Sequence, residues 1–528
     1  MTSPAPSASR GRIVMIVDNG VVGDSRVQKA ARSAADLGWE VVLLGVLGGG
    51  SPLETWRIGD AQVRLLRVGR GLGRRPTEFQ RSLLRRPLAY PPGYQAGYRI
   101  QKVKARQAAL RERWTALEVH RREAGGRLRE ASGKAVLVPL RALAKATSLW
   151  VRFRARELRR LKSAREDPAT LLTRLPISAW RKLLGKRAWR RLDPGLWDYE
   201  IAFAPAIDEL APDIIHAHDF RMVGVGARAR MRARAAGRDT RLLWDAHEFV
   251  AGINGRPDNP RWLPAQVSYV EEYASAADAV VTVSDTLADL LQETHGLPAR
   301  PRVVLNAPAA EPPEKDPTVP TPDLRALCGV DPRTPLLVYS GAVNPSRGVD
   351  VMVEALPQLA DVHIALVTLH PSVSVPAADA LRERAVALGV DDRVHLLPYV
   401  PHWQVSEFLA AADAGVVPIL HNLNHELALI TKFLEYAHAR LPIVVSDVRT
   451  MAETTRATGQ GEVFRAGEVD DYVRAVRAVL ADPQRYRAAY DKPALLDAWT
   501  WEAQTQVLDE SYVDLMARAG GQGRNSVS

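Results

Sequence analysis

The sequence predicts an α/β protein: two doubly wound, Rossmann-like domains facing a cleft, with a basic helical insertion in the N-terminal domain. Three observations carry this. Short apolar runs alternate with segments of helical period in two separate series, the mark of βαβ units. A stretch rich in proline and acid, PAAEPPEKDPTVPTPD from Pro308, divides the two series. The length, 528 residues, exceeds that of one ordinary domain.

The first series places strands at Ile13–Asp18, Glu40–Leu47, Val63–Val68, Asp213–His218, Arg241–Asp245, Ala279–Val283 and Arg302–Leu305. Helical spacing marks Ser25–Leu37 and Gln266–Ala277 between them. The second series places strands at Leu336–Ser340, His363–Val367, Val394–Leu397, Ala414–Pro418 and Ile443–Ser446, with helices at Val349–Leu359, Ala377–Leu388, Val405–Ala411, Lys432–Ala439 and Val469–Leu480. The expected plan is an N-terminal domain over 12–307 with its insertion at about 70–195, then a linker over 308–335 closing on a short helix. A C-terminal domain follows over 336–485, then helices over 486–518 that pack back on the first domain, with 1–11 and 519–528 as disordered tails. Open sheets of this kind bind ligands outside the carboxyl ends of their strands.

Charge justifies the insertion. The chain carries 71 Lys+Arg against 60 Asp+Glu, a net of +11. Between Arg70 and Arg191 there are 33 basic and 8 acidic residues, so this block alone holds +25 and the remainder −14. Val103, Leu110, Trp114 and Leu117 mark one helix face, and Leu143, Ala146, Trp150, Phe153, Leu158 and Leu161 another, flanked by Arg152, Arg154, Arg156, Arg159 and Arg160. Arginines beside Trp and Phe on an amphipathic helix suit an anionic membrane surface, here through residues 70–191. The alternative is an insertion that packs its stripe and leaves its arginines in water. Nucleic acid is not expected, because no nucleic-acid-binding motif occurs. Cys328, the single cysteine, excludes an internal disulfide. MTSPAPSASRGR lacks the apolar run of a signal peptide, and no stretch reaches about 18 apolar residues. A cytoplasmic protein, peripheral on the inner membrane face, is expected.

Four strand ends carry polar residues suited to chemistry. VDNGVVGDSRV sets Gly20 and Gly23 between a strand and a helix, a turn whose N–H groups can face a phosphate or whose Asp24 or Ser25 simply caps the helix. IIHAHD offers His216, His218 and Asp219; LLWDAHE offers Asp245, His247 and Glu248. Such groups hydrogen-bond sugar hydroxyls or phosphates. Alternation puts His216 and His218 on one strand face, with His218 expected nearer the opening. In YSGAVNPSRG, Arg347 with a helix N-terminus at Gly348 would make a phosphate site. In ITKFLEY, Lys432 and Glu435 share a helix face behind Thr431, and a lysine at a helix start invites an anion.

Together the order DSRV, HAHD, DAHE, VSD, LNAP, SGxxxxxRG, TKFLEY and LPIVVSD resembles a family 4 glycosyltransferase of the GT-B fold, over most of residues 12–70 and 195–515. The resemblance implies a retaining transferase using a nucleotide-sugar donor, UDP- or GDP-linked, with no cofactor and no metal. It implies donor binding mainly by the C-terminal domain and a glycan or lipid-linked acceptor, of cell envelope or polysaccharide, on the N-terminal one. By the same resemblance Arg347, Lys432 and His218 are the catalytic residues, with Arg347 and Lys432 neutralising the diphosphate. Glu435 would accept ribose hydroxyls and Thr431 would contact phosphate. Tyr399 and Val400 would meet the base, and Glu426 the donor sugar. Gly20, Gly23 and His247 would close over the donor from the other side. Two departures stand out: Ala342 where many members have arginine, and Leu427 where many have glutamate. They favour the competing expectation, a non-catalytic GT-B scaffold or regulator of polysaccharide assembly.

Overall fold

The computed structural model describes residues 10–48, 54–69, 88–90, 95–124, 127–166, 171–256, 259–310, 318–369, 376–492 and 494–522. Residues 1–9 and 523–528 of the expected tails, 311–317 of the linker and 70–87 of the basic block lie outside these. The chain forms two compact units, one of residues 1–68, 199–253 and 269–528, the other of 69–198 and 254–268.

The first unit holds two sheets. One contains β1 (Arg12–Ile16), β2 (Glu40–Val46), β3 (Thr55–Ile58), β4 (Ala61–Leu66), β5 (Ile214–His218), β6 (Arg241–Ala246), β7 (Ala279–Thr282) and β8 (Arg302–Val303). Its order is β3-β4-β2-β1-β5-β6-β7-β8, parallel except for β3 against β4. The second contains β9 (Leu336–Ser340), β10 (His363–Leu369), β11 (Val394–Pro398), β12 (Ala414–Val417), β13 (Ile443–Ser446) and β14 (Gly461–Phe464), all parallel in the order β11-β10-β9-β12-β13-β14. Central strands such as RIVMI and LLVYS read as unbroken apolar runs because both of their faces are covered. The order reverses beside β1 in one sheet and beside β9 in the other, and these switch points locate the sites.

The elements differ from expectation where sequence signals are short. β3 is a four-residue edge strand returned by Gly59 at φ 57°, and β14 is an equally short edge. The helix expected from Gln266 begins at Trp262 and ends at Tyr273 in a tighter turn over Ala274–Ala276. The final helix runs Trp501–Gln522, beyond the expected end at 518. It supplies Trp501, Leu508, Tyr512 and Leu515 to the core of the first sheet, beside Ile13, Met15, Leu43 and Val63. Cys328 is buried under the second sheet, where burial raises its thiol to about 11.

The second unit is helical: α2 (Gln95–Ala124), α3 (Arg127–Glu166) and α4 (Leu171–Leu184), numbered after α1 (Ser25–Asp36) in the first unit. Leu110, Trp114 and Leu117 of α2 pack on Leu137, Leu140 and Ala144 of α3, and Ile100 and Val103 pack with Tyr90, Val151, Ala155 and Leu158. Lys134 closes this seam on Glu118 at 2.8 Å and Glu130 at 2.7 Å. The expected α3 stripe lies beside the buried row, not within it. Leu143, Trp150 and Phe153 are exposed, whereas the row beside them is buried. The side chain of Leu161 lies outside the described residues. No helix among the described residues is long and apolar enough to cross a membrane.

Candidate active site

The turn after β1 is held by its own side chains. Asn19 Oδ1 accepts from Val21 N at 2.8 Å, Asn19 Nδ2 donates to Asp24 Oδ2 at 2.8 Å, and Asp24 caps α1 at Val27 N at 3.3 Å. Val21 and Gly23 sit at φ 67° and 87°, so Gly23 answers a backbone demand that Gly20 does not. Val22 stands exposed at the tip.

Beside it, β5 and β6 bring a carboxylate under three imidazoles. In their register His218 opposes Asp245. Asp245 takes a bidentate grip from Arg26 of α1, Nε–Oδ2 and Nη2–Oδ1 both at 2.8 Å. The same carboxylate lies 3.2 Å from His218 Nδ1 and 3.1 Å from His247 Nε2. His216 Nδ1 and the Tyr512 hydroxyl are 2.8 Å apart, which ties the final helix to this cluster. His218 lies beside His247, with ring centroids 5.9 Å apart, and His216 lies against Tyr512; both side chains are 0% exposed, and His247, at 22%, alone of the three reaches the surface. Both belong to β5, every residue of which is buried. Burial keeps His216 and His218 below the usual imidazole range. At His247 burial opposes the charge, but the Asp245 carboxylate prevails and raises it.

His216, His218 and Asp245 place ligand atoms within 4.8 Å of one another, a spacing a cation could use. The donor set fits a dication poorly, because Arg26 already occupies both oxygens of the one carboxylate. Just outward, Asp219 at φ 68° and Glu248 face one another's fields. Burial, then the Asp219 carboxylate, lifts Glu248 to about 7, so it carries a proton part of the time at neutrality. Arg221, paired with Asp18 from the end of β1, completes this group; composition and spacing gave neither residue a signal.

The second sheet builds a cationic pocket. Gly341, after β9, sits at φ 138°, and a Cβ there would collide with Lys432 Nζ. That nitrogen lies 3.3 Å from the Tyr339 hydroxyl and 4.4 Å over its ring. Burial, then the neighbouring Arg347, lowers Lys432 to about 7. The Arg347 backbone N–H donates to Asn344 O at 2.9 Å, but its guanidinium has no hydrogen-bond or ion-pair partner among the described residues. The expected helix N-terminus at Gly348 is corrected: Arg347 ends a 3₁₀ turn over Pro345–Arg347, Gly348 is left-handed at φ 61°, and the helix begins at Asp350. Arg347 therefore acts through its full charge.

Lys432 is the second residue of the helix Thr431–His438, whose start has no side-chain cap. Glu435, one turn on, is raised by burial against the pull of Lys432 and of Lys29. Lys29, on α1, went unremarked in the sequence. Its Nζ donates to Asn306 Oδ1 at 3.1 Å and Ala307 O at 2.5 Å, over the Trp501 ring at 4.5 Å. Burial, then Arg26, lowers it to about 7. Thr431 Oγ1 accepts from Asn306 Nδ2 at 2.9 Å, joining the two sheets' loops. Tyr399 and Val400 follow β11, the tyrosine partly exposed and the valine packed on the core. Glu426 is engaged by protein groups. Its carboxylate meets His421 Nδ1 at 2.5 Å and accepts from Arg449 N at 2.7 Å, at the start of another helix. Leu427 is buried and its carbonyl accepts from Ser284, while Asn424 Oδ1 accepts from Phe249 N at 2.9 Å.

Two family models match this chain: Glycosyl transferases group 1 over residues 334–482, and Glycosyltransferase Family 4 over 185–307. Together they span just over half of its length and take in both strand-end clusters. The chain is a family 4 glycosyltransferase. This transferase is 28% identical over 328 residues to the D-inositol 3-phosphate glycosyltransferase of Nocardia farcinica, covering 59% of this chain and 70% of that one. It is 25% identical to the namesake from Rhodococcus opacus, covering 57% and 67%. Its GT-B fold is similar to sucrose-phosphate synthase from Thermosynechococcus elongatus, with a TM-score of 0.59 at 14% identity, covering 96% of this chain and 100% of that one. The fold is also similar to Anabaena HepE in complex with UDP-glucose, at 0.53 and 12%, covering 96% and 100%. In the glycosyltransferase, then, one sheet presents two neighbouring cations and the other a histidine–carboxylate cluster.

Proposed function

We propose that the glycosyltransferase moves a sugar, with retention, from a nucleotide-sugar donor to a cell-envelope, polysaccharide or lipid-linked acceptor at the inner membrane face. The observation that carries this reading is the pocket of Arg347, Lys432 and Gly341: two cations, one unpartnered and one held near neutrality, over a glycine that leaves room. A diphosphate is the anion such a pocket suits. As the anomeric C–O bond breaks, charge grows on the departing nucleoside diphosphate, and fixed cations stabilise it without a metal ion. Glu435 accepts ribose hydroxyls, Thr431 offers its backbone N–H, and Tyr399 and Val400 line the base. Gly20, Gly23 and His247 cover the donor from the first sheet, with His218 holding His247 and Asp245 in place from below. The acceptor hydroxyl gives its proton to a phosphate oxygen on the leaving side, so no protein base is required. Glu248, protonated part of the time, donates to a sugar hydroxyl.

The UDP-glucose complex of a fold neighbour supports UDP-linked sugars as the first donors to test, and the relatives' names add a phosphorylated cyclitol to the acceptor panel. The test is thermal stabilisation by UDP-, GDP-, ADP- and dTDP-sugars without metal. One nucleotide should raise the melting temperature, and Arg347→Ala and Glu435→Ala should each remove the shift. A folded protein that responds to none of them contradicts the proposal.

A further inference from the structure

α3 carries two apolar rows, and α2 covers one of them. The inner row, Leu137, Ala144 and Val151, is buried. One residue earlier in each turn of this seven-residue repeat stand Val136, Leu143 and Trp150, exposed at 66%, 54% and 49%. Neighbours in sequence lie about 100° apart around a helix, so the outer row cannot share the seam. Phe153 extends it, stacked on Trp150 with ring centroids 5.6 Å apart and planes at 18°. Leu149, also exposed, widens the row. Single exposed apolar residues are ordinary, but a continuous row with two large aromatics marks an interaction surface.

The flank of the row beside Leu149 is basic. Lys145, four residues before Leu149, and Arg156, seven after it, are exposed and form no ion pair among the described residues, and Glu157, two turns on from Trp150, is neutralised by Arg160 at 3.2 Å. They belong to the block of net charge +25. We propose that this outer face of α3 docks on an anionic phospholipid bilayer, with Trp150 and Phe153 at headgroup depth and Lys145 and Arg156 on lipid phosphates. The inference rests on the membrane-face reading above and names the element that achieves it. Nucleic acid would account for the cations but not the aliphatic row. A second copy of the chain would account for the row but would bring like charges together.

The test is co-sedimentation of the full chain with vesicles of phosphatidylcholine, with and without about one third phosphatidylglycerol. Binding is expected to the anionic vesicles only, and to weaken with salt. Trp150→Glu with Phe153→Glu should lower the bound-to-free ratio by about tenfold or more. Val386→Glu, at an exposed position of the second sheet's domain, should leave it unchanged. Stabilisation of the double variant by donor nucleotide shows that it is folded and separates this inference from the donor reading. Equal binding to neutral vesicles, no binding at low salt, or full binding by the double variant overturns the proposal. So does a dimer in solution that the double variant dissolves.

Discussion

At the scale of single residues, Lys432 is poised to respond to its ligand. Its ammonium is held near 7 by burial and Arg347, and a diphosphate would raise it again. Binding above neutrality must then draw in a proton. Affinity should fall as pH rises past about 7, by up to about tenfold per unit while the complex stays protonated. Calorimetry in two buffers of different ionisation heat should show this proton uptake, and Lys432→Arg should abolish it; identical heats in both buffers would refute it. Arg26 has the opposite task, since its partner is permanent. Arg26→Met leaves Asp245 charged and buried, and should cost about 3–5 kcal/mol in urea unfolding. Adding Asp245→Asn should recover part of that loss. Lys432 and Arg347 were legible because each stands in a compact motif. Lys29 and Arg221 were not, because their meaning depends on partners 277 and 203 residues away. Arg26 lay inside a quoted motif, yet nothing local reveals that it grips the end of β6.

At the scale of elements, the donor pocket depends on a strand end that must stay bare. Gly341→Ala would need φ 138° from an alanine and would press on the Lys432 ammonium. Donor-induced stabilisation should be lost or much reduced, beyond a fall of a few degrees in the free protein's melting temperature from roughly 1–3 kcal/mol of backbone strain; retention of the full shift would show that Lys432 has room elsewhere. The central strands were readable as apolar runs, and β9 and β13 match their expected bounds. The edges β3 and β14 were not, since four residues against a single partner leave too short a pattern. On α3 the spacing revealed an apolar stripe but not which of two adjacent rows would be buried. That choice belongs to α2, which faces Leu137 and not Leu143.

At the scale of the whole molecule, the first sheet is completed by residues from the far end of the chain. Ending the protein at Thr500 would remove Trp501, Leu508, Tyr512 and Leu515 from the core, at roughly 2–5 kcal/mol for each large side chain lost. Such a truncation should be insoluble or bind a hydrophobic dye strongly, and a soluble, cooperatively melting product would contradict it. Tyr512→Phe is the gentle version: it deletes only the contact with His216 and should cost about 1 kcal/mol. That helices beyond residue 485 return to the first domain was part of the expected plan, but not that a tyrosine on them would reach the histidine beneath the site. The arrangement also bears on how the protein is made. Chains emerge from the ribosome N-terminus first and tend to fold domain by domain in that order. Here the first sheet emerges before the helix that seals it, its open face waiting while the second sheet is synthesised. Slow translation anywhere between β8 and this helix would prolong that exposure, so pauses across the second sheet carry a hazard for the first.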